Sequence, residues 1–166
     1  DVMDVCRQSG PLSMYGQEEW LKLCYKNHTF IPFVVADNEL PSDKKWVGYA
    51  ALSNIDHIAD KTECSYVIHP DFKGKGYGEE VIFKLLYHAF YNLGVQKVYS
   101  DTFDYNLPEV KMRSDCGFVV EGQLQRHYFK RGKFIGSIMM RMFREEFDAR
   151  YSDRLSTITY AESKPL

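Results

Sequence analysis

The chain has 166 residues, a formal charge of −2, 45% hydrophobic and 15% aromatic content. That length suits one domain that buries roughly 70% of its unfolded surface without a disulfide or metal, and the near-neutral charge excludes the basic excess of a nucleic-acid protein. No apolar run approaches the ~20 residues of a membrane-spanning helix, nothing reads as a signal peptide, and Cys6, Cys24, Cys64, Cys116 and five histidines follow no metal or disulfide spacing, so no metal site and a reducing, cytoplasmic compartment are expected.

Ser13 to Tyr25 is expected as a helix, capped by Ser13, with Trp20, Leu21, Cys24 and Tyr25 on one face. Asn27 and His28 end it. Phe30 to Ala36 is strand-like, and Pro32 marks it as an edge or a bulge. After a polar loop come strands over Trp46–Ile55 and Thr62–His69, the latter central. Lys73-Gly74-Lys75-Gly76-Tyr77-Gly78 leads into a helix from Glu79 to Leu93. Its apolar positions Val81, Ile82, Leu85, Leu86, Ala89, Phe90 and Leu93 share one side, and Gly94 stops it. Then follow a strand (Val95–Phe103), a short helix begun by Pro108 (Pro108–Asp115), and a hairpin of Gly117–Gln125 and Lys133–Phe143 turning at Arg131-Gly132. The polar stretch from Tyr151 is expected as an appendage or loosely held strand. The order implies an α/β (α+β) domain over residues 1–150, a mixed central sheet flanked by helices, with 151–166 as a tail.

The alternating glycines 74, 76 and 78 let backbone N–H groups turn toward one point. The following helix adds its free amides and positive end. Lys73 and Lys75 add charge, so the segment is suited to a pyrophosphate. Neither the Walker nor the Rossmann spacing is present.

Pro70 to Gly78 resembles the acetyl-CoA loop of the GNAT acetyltransferase superfamily, Gln/Arg-x-x-Gly-x-Gly/Ala, with Gly76 and Gly78 in the glycine places and Lys73 where Gln or Arg is usual. Asn106 with Cys116-Gly117-Phe118 resembles the second family motif. Val119 to Phe143, with Glu121-Gly122, a basic turn and a Met-rich last strand, is similar to the closing hairpin of the Rim-type branch, which includes spermidine acetyltransferases; Glu145-Glu146 resembles its ending. Three departures stand out. The family's first strand is not found ahead of the first helix. Arg113 occupies the place of a Tyr that acts as general acid in many members, and Glu109 that of a small residue.

The resemblance implies acetyl-CoA as cofactor and direct acetyl transfer to a primary amine: a small amine, polyamine, aminosugar or protein N-terminus. It implies that Lys73, Gly74, Lys75, Gly76, Tyr77 and Gly78 hold the phosphates and that Asn106 bonds the pantetheine arm. A main-chain N–H near Tyr66, Val67 and Ile68 would face the thioester oxygen, where a bulge splays the family's strand. Glu63 is the first choice for base or substrate anchor, against an ordinary solvated strand-end carboxylate. Asp56 and His57 lie in the loop before it. Arg113 is assigned to CoA phosphate, to the exposed face of its helix, or to the leaving thiolate. Tyr105 and Tyr128 are candidates for the amine pocket. A homodimer is left open. The rival readings are an acyl-CoA-binding or partner-binding domain without turnover, favoured by Arg113, and a general nucleotide-binding module.

Overall fold

The computed structural model describes residues 14–26, 28–43 and 45–162. The expected cap Ser13, the stop at Asn27, Cys6, anything ahead of the first helix, and Lys164 to Leu166 lie outside the described residues. Helix α1 is Met14–Lys26, followed by β1 (Phe30–Ala36), β2 (Trp46–Asp56) and β3 (Lys61–Ile68). A single tight turn, Pro70–Phe72, precedes α2 (Tyr77–Tyr87), whose last turn widens over His88–Asn92. Then come β4 (Lys97–Phe103), α3 (Leu107–Asp115), β5 (Val119–Lys130), β6 (Lys133–Phe143), α4 (Arg144–Arg150) and α5 (Ser152–Glu162).

The six strands form one sheet in the order β1-β2-β3-β4-β6-β5. All pairs are antiparallel except β3 with β4. β1 lies at an edge, where Pro32 needs no outward ladder bond. The helical spacing of α2 turns Val81, Ile82, Leu85 and Leu86 onto the sheet, where they are buried with Val98, Met140, Met142 and Phe147. Full burial of each such side chain stabilises the fold by about 1.5–3 kcal/mol. Gly94 follows at φ 75°, as a helix stop requires.

Two expectations change. The stretch after Tyr151 is the helix α5, not a strand; Leu155 and Ile158 repeat at helical spacing and pack on the core. The first hairpin strand runs on to Lys130, beyond the expected end at Gln125, because an irregularity between Leu124 and Tyr128 absorbs its mismatch with β6.

The site follows from one feature of the sheet. β3 and β4 pair only at Lys61↔Lys97, Thr62↔Val98 and Glu63↔Tyr99. Beyond Glu63 the two strands part in the middle of the sheet.

Candidate active site

The opening is a cleft of about 850 Å³, lined on one side by β3, on the other by Asp101 to Phe103, and closed by the glycine loop and α3. The ladder to β2 decides which main-chain groups face it. Register is unbroken from Ser53↔Glu63 to Gly48↔Ile68, and His69 N–H donates to Val47 O at 2.8 Å. Antiparallel ladders alternate, so Ser65 and Val67 turn their main chain to β2, while Cys64, Tyr66 and Ile68 turn theirs to the gap. Tyr66 and Ile68 thus fit the expected main-chain role. Val67 lines the cleft too, but its carbonyl sits against Gly48 on β2. The register shift on this side lies on β2, between Ser53 and Asp56, rather than within β3.

In the glycine loop, Gly74 and Gly76 have φ 73° and 85°, and no heavy atom lies within 4 Å of where a Cβ would stand at either. The cradle is therefore open and needs glycine for its left-handed backbone. Gly76 begins α2 with no side-chain cap. Glu80 N–H closes on Gly76 O at 3.3 Å, which leaves the amides of Tyr77, Gly78 and Glu79 without an intrahelical acceptor. This donor set at a positive helix end fits a pyrophosphate. The two lysines of the loop differ in their surroundings. Lys73 lines the cleft, and its N–H is taken by Pro70 O at 3.2 Å. Lys75 Nζ sits 5.2 Å from the centre of the Phe72 ring, which lines the cleft. Tyr77 is tied down by its hydroxyl, which donates to Asp37 Oδ2 at 2.6 Å.

Glu63 is 2% exposed, at the last residue before the strands part. The solvated-carboxylate alternative is thereby overturned. Its Oε2 accepts from Asn54 Nδ2 at 2.9 Å. Asn54 sits at φ 51° in the β2 irregularity, a backbone state Asn tolerates better than most residues. Asp56 accepts from the N–H groups of Ile58 and Ala59, so it builds a turn.

Arg113 is 4% exposed, which removes the exposed-face reading. Its Nε donates to Glu109 Oε1 at 2.7 Å, and Nη1 lies 3.2 Å from Cys64 Sγ. The other Glu109 oxygen accepts from the Tyr66 hydroxyl at 2.8 Å. Glu109, in the place of a small residue, is thus the carboxylate that lets the arginine be buried. Burial first, and the Glu109 charge second, raise the Tyr66 phenol far above its ordinary value, so it stays protonated. Asn106 stands at the start of α3, but its side chain makes no capping bond and the residue lines the cleft. Tyr105 leaves the site: it lines a separate recess with Lys130 and Lys133.

Residues that sequence reasoning did not mark also meet here. Asp101, Asn54 and Tyr49 reach the cleft or its carboxylates through strand register, and Tyr49 carries a hydroxyl that burial raises to about 12. Glycine spacing found the loop; no local signal marks a cross-strand contact.

Comparison with known proteins agrees with this geometry. A family model described as an acetyltransferase (GNAT) domain matches residues 1–119. The chain belongs to the GNAT acetyltransferase family, and its fold is the family's mixed sheet. It is 27% identical over 141 residues to an uncharacterized SPbeta prophage-derived N-acetyltransferase, YokL, of Bacillus subtilis, covering 85% of this chain and 77% of that protein. It is 31% identical over 102 residues to the spermidine N(1)-acetyltransferase of Vibrio cholerae, covering 61% of this chain and 57% of that enzyme. The crystal structure of spermidine N-acetyltransferase from Vibrio cholerae in complex with CoA and spermine superposes with a TM-score of 0.81 at 25% identity, over 88% of this chain and 84% of that one. The chain is an acetyl-CoA-dependent N-acetyltransferase. No helix among the described residues is long and apolar enough to cross a membrane.

Proposed function

We propose that the acceptor is a cationic amine of the polyamine type and that Glu63 is the base. The observation that carries this is a carboxylate buried to 2% exposure at the point where β3 and β4 part, held by Asn54. A buried carboxylate in the cleft favours a positively charged acceptor and rejects an anionic one. Vibrio cholerae and Escherichia coli relatives named spermidine N(1)-acetyltransferase support the same class, although the matched segments span only 57% and 59% of those enzymes.

The residues then divide the work. Tyr77, Gly78 and Glu79 amides, with the Lys73 side chain, hold the pyrophosphate. Asn106 and the gap-facing main chain of β3 hold the pantetheine arm. Acetyl-CoA supplies an acetyl group activated as a thioester. Glu63 takes the proton that the amine nitrogen must lose as it attacks. The Tyr66 or Ile68 N–H stabilises charge growing on the acyl oxygen. The Arg113 guanidinium and the protonated Tyr66 phenol offset charge on the departing sulfur, standing in for the absent tyrosine.

A second reading, acyl-CoA binding without turnover, is favoured by Arg113 at the tyrosine place. Thiol release from acetyl-CoA with spermidine, butylamine, glucosamine and a free peptide N-terminus separates the two. Release with spermidine above the others supports the proposal. Tight CoA binding with no release under any acceptor supports the second reading and ends the first. Buried free thiols at Cys24, Cys64 and Cys116 support a cytoplasmic setting. Self-association beyond or including a homodimer is also expected, since the spermidine N-acetyltransferase of Vibrio cholerae forms a dodecamer.

A further inference from the structure

We propose that Asp101 binds a second cationic nitrogen of the acceptor, so that the site selects amines carrying two positive charges. The inference rests on the acceptor reading above and adds a residue that no motif marked.

Asp101 lies on β4 two residues past Tyr99, the last residue paired with β3. Parallel partners share a face and strand side chains alternate. Asp101 therefore faces the same side of the sheet as Glu63, about 7 Å further along the strand direction. Its side chain is 7% exposed, and the residue lines the cleft. One carboxylate oxygen, Oδ2, accepts from the Tyr128 hydroxyl and lies 3.8 Å from His127 Nε2. The other, Oδ1, is buried with no hydrogen-bond partner. Buried carboxylate oxygens are rarely left so, because an unmet acceptor is costly.

Tyr128 reaches Asp101 because β5 is irregular. Between Leu124↔Ser137 and Tyr128↔Ile135, four steps on β5 match two on β6, with Arg126 at φ 51°. Such insertions re-aim side chains. Here the insertion carries the Tyr128 hydroxyl past β6 to β4. It fixes one Asp101 oxygen and leaves the other for a ligand. The Tyr49 hydroxyl, buried, unpartnered and also lining the cleft, offers a further acceptor from the β2 side.

An orphaned carboxylate oxygen, in a cleft that a phenol oxygen also lines, suits a donor-only group. An ammonium has three donors and no acceptor. With Glu63 engaged at the reacting nitrogen, this ammonium is a second one on the same molecule. A monoamine with an apolar chain offers nothing to Asp101.

The test is the ratio of kcat/KM for spermidine to that for butylamine. It is expected to exceed ten in the native protein and to fall toward one in Asp101→Asn, chiefly through KM for spermidine. Asp101→Glu, which keeps the charge, is expected to retain much of the ratio. A ratio near one in the native protein, or one unchanged in Asp101→Asn, overturns the proposal. If the native protein releases no thiol with any amine, the function proposed above fails, and Asp101 is read by calorimetry instead. Spermidine titrated into CoA-loaded protein should then bind at least tenfold more weakly to Asp101→Asn, with Asp101→Glu intermediate; equal affinities overturn the proposal.

Discussion

The Asn54 amide donates to Glu63 Oε2 at 2.9 Å, across the one irregularity between β2 and β3. A strand defect thus positions the candidate base. Asn54→Gly keeps the φ of 51° accessible while removing the amide. A hydrogen bond to a charged group contributes about 1.5–3 kcal/mol. If that bond orients Glu63 in the transition state, kcat should fall roughly tenfold or more. CoA affinity should be unaffected, since the loop is untouched. Steady-state kinetics beside a CoA titration check both halves.

The glycine loop makes a separate prediction. Valine at position 76 would face the open space that the cofactor's phosphates need, at a φ of 85°. The left-handed backbone costs a non-glycine residue about 1–2 kcal/mol, so the melting point should drop by roughly 2–8 °C. CoA binding should weaken about tenfold or more, beyond what lost stability explains. Lys22→Ala is the control, because Lys22 is exposed on α1, pairs with Glu19 and does not line the cleft. Its CoA affinity should match the native protein. Calorimetric titration of both variants decides.

The Tyr77–Asp37 hydrogen bond should show itself in acid. The Tyr77 hydroxyl, then the Glu39 N–H, hold the Asp37 carboxyl below its ordinary value. A carboxyl depressed in the folded state contributes stability above the unfolded value of about 4 and loses it as pH falls further. Tyr77→Phe should therefore melt below the native protein near neutral pH. That gap should narrow below about pH 4. Melting points across the acid range give the answer; a gap that widens in acid contradicts the assignment.

Arg113 and Glu109 form a buried pair beneath Tyr66. Removing one partner of such a pair leaves an uncompensated charge and costs about 3–5 kcal/mol. Arg113→Met should lower the melting point by on the order of 10 °C. Glu109→Leu combined with Arg113→Met should recover part of the loss. A double variant no more stable than the single one argues that the arginine's packing, not its charge, dominates.

These residues also mark what could be read from the chain alone. The glycine loop, the helix behind it and Asn106 were legible because spacing within a short segment encodes them. Glu63 was legible as a candidate, but its burial was not, since that depends on where β4 leaves β3. For Arg113 the chain alone leaves three places open, CoA phosphate, an exposed helix face and the leaving thiolate; Glu109 one helical turn earlier is what allows its burial. Asp101 and Asn54 carried no signal, and Tyr128 was legible only as a candidate for the amine pocket. They join through two strand irregularities and a register that brings residues 27 positions apart into contact. The helix Ser152–Glu162 is hard to read from the chain because polar residues separate Leu155 and Ile158, which pack.

The central claim is that Glu63 removes the acceptor's proton in a cleft that already holds the cofactor. Thiol release from acetyl-CoA with saturating spermidine, measured side by side for the native protein and Glu63→Gln, tests it directly. The account predicts a fall of roughly a hundredfold or more in turnover, with CoA bound as tightly as before. Native-level turnover in Glu63→Gln would contradict it.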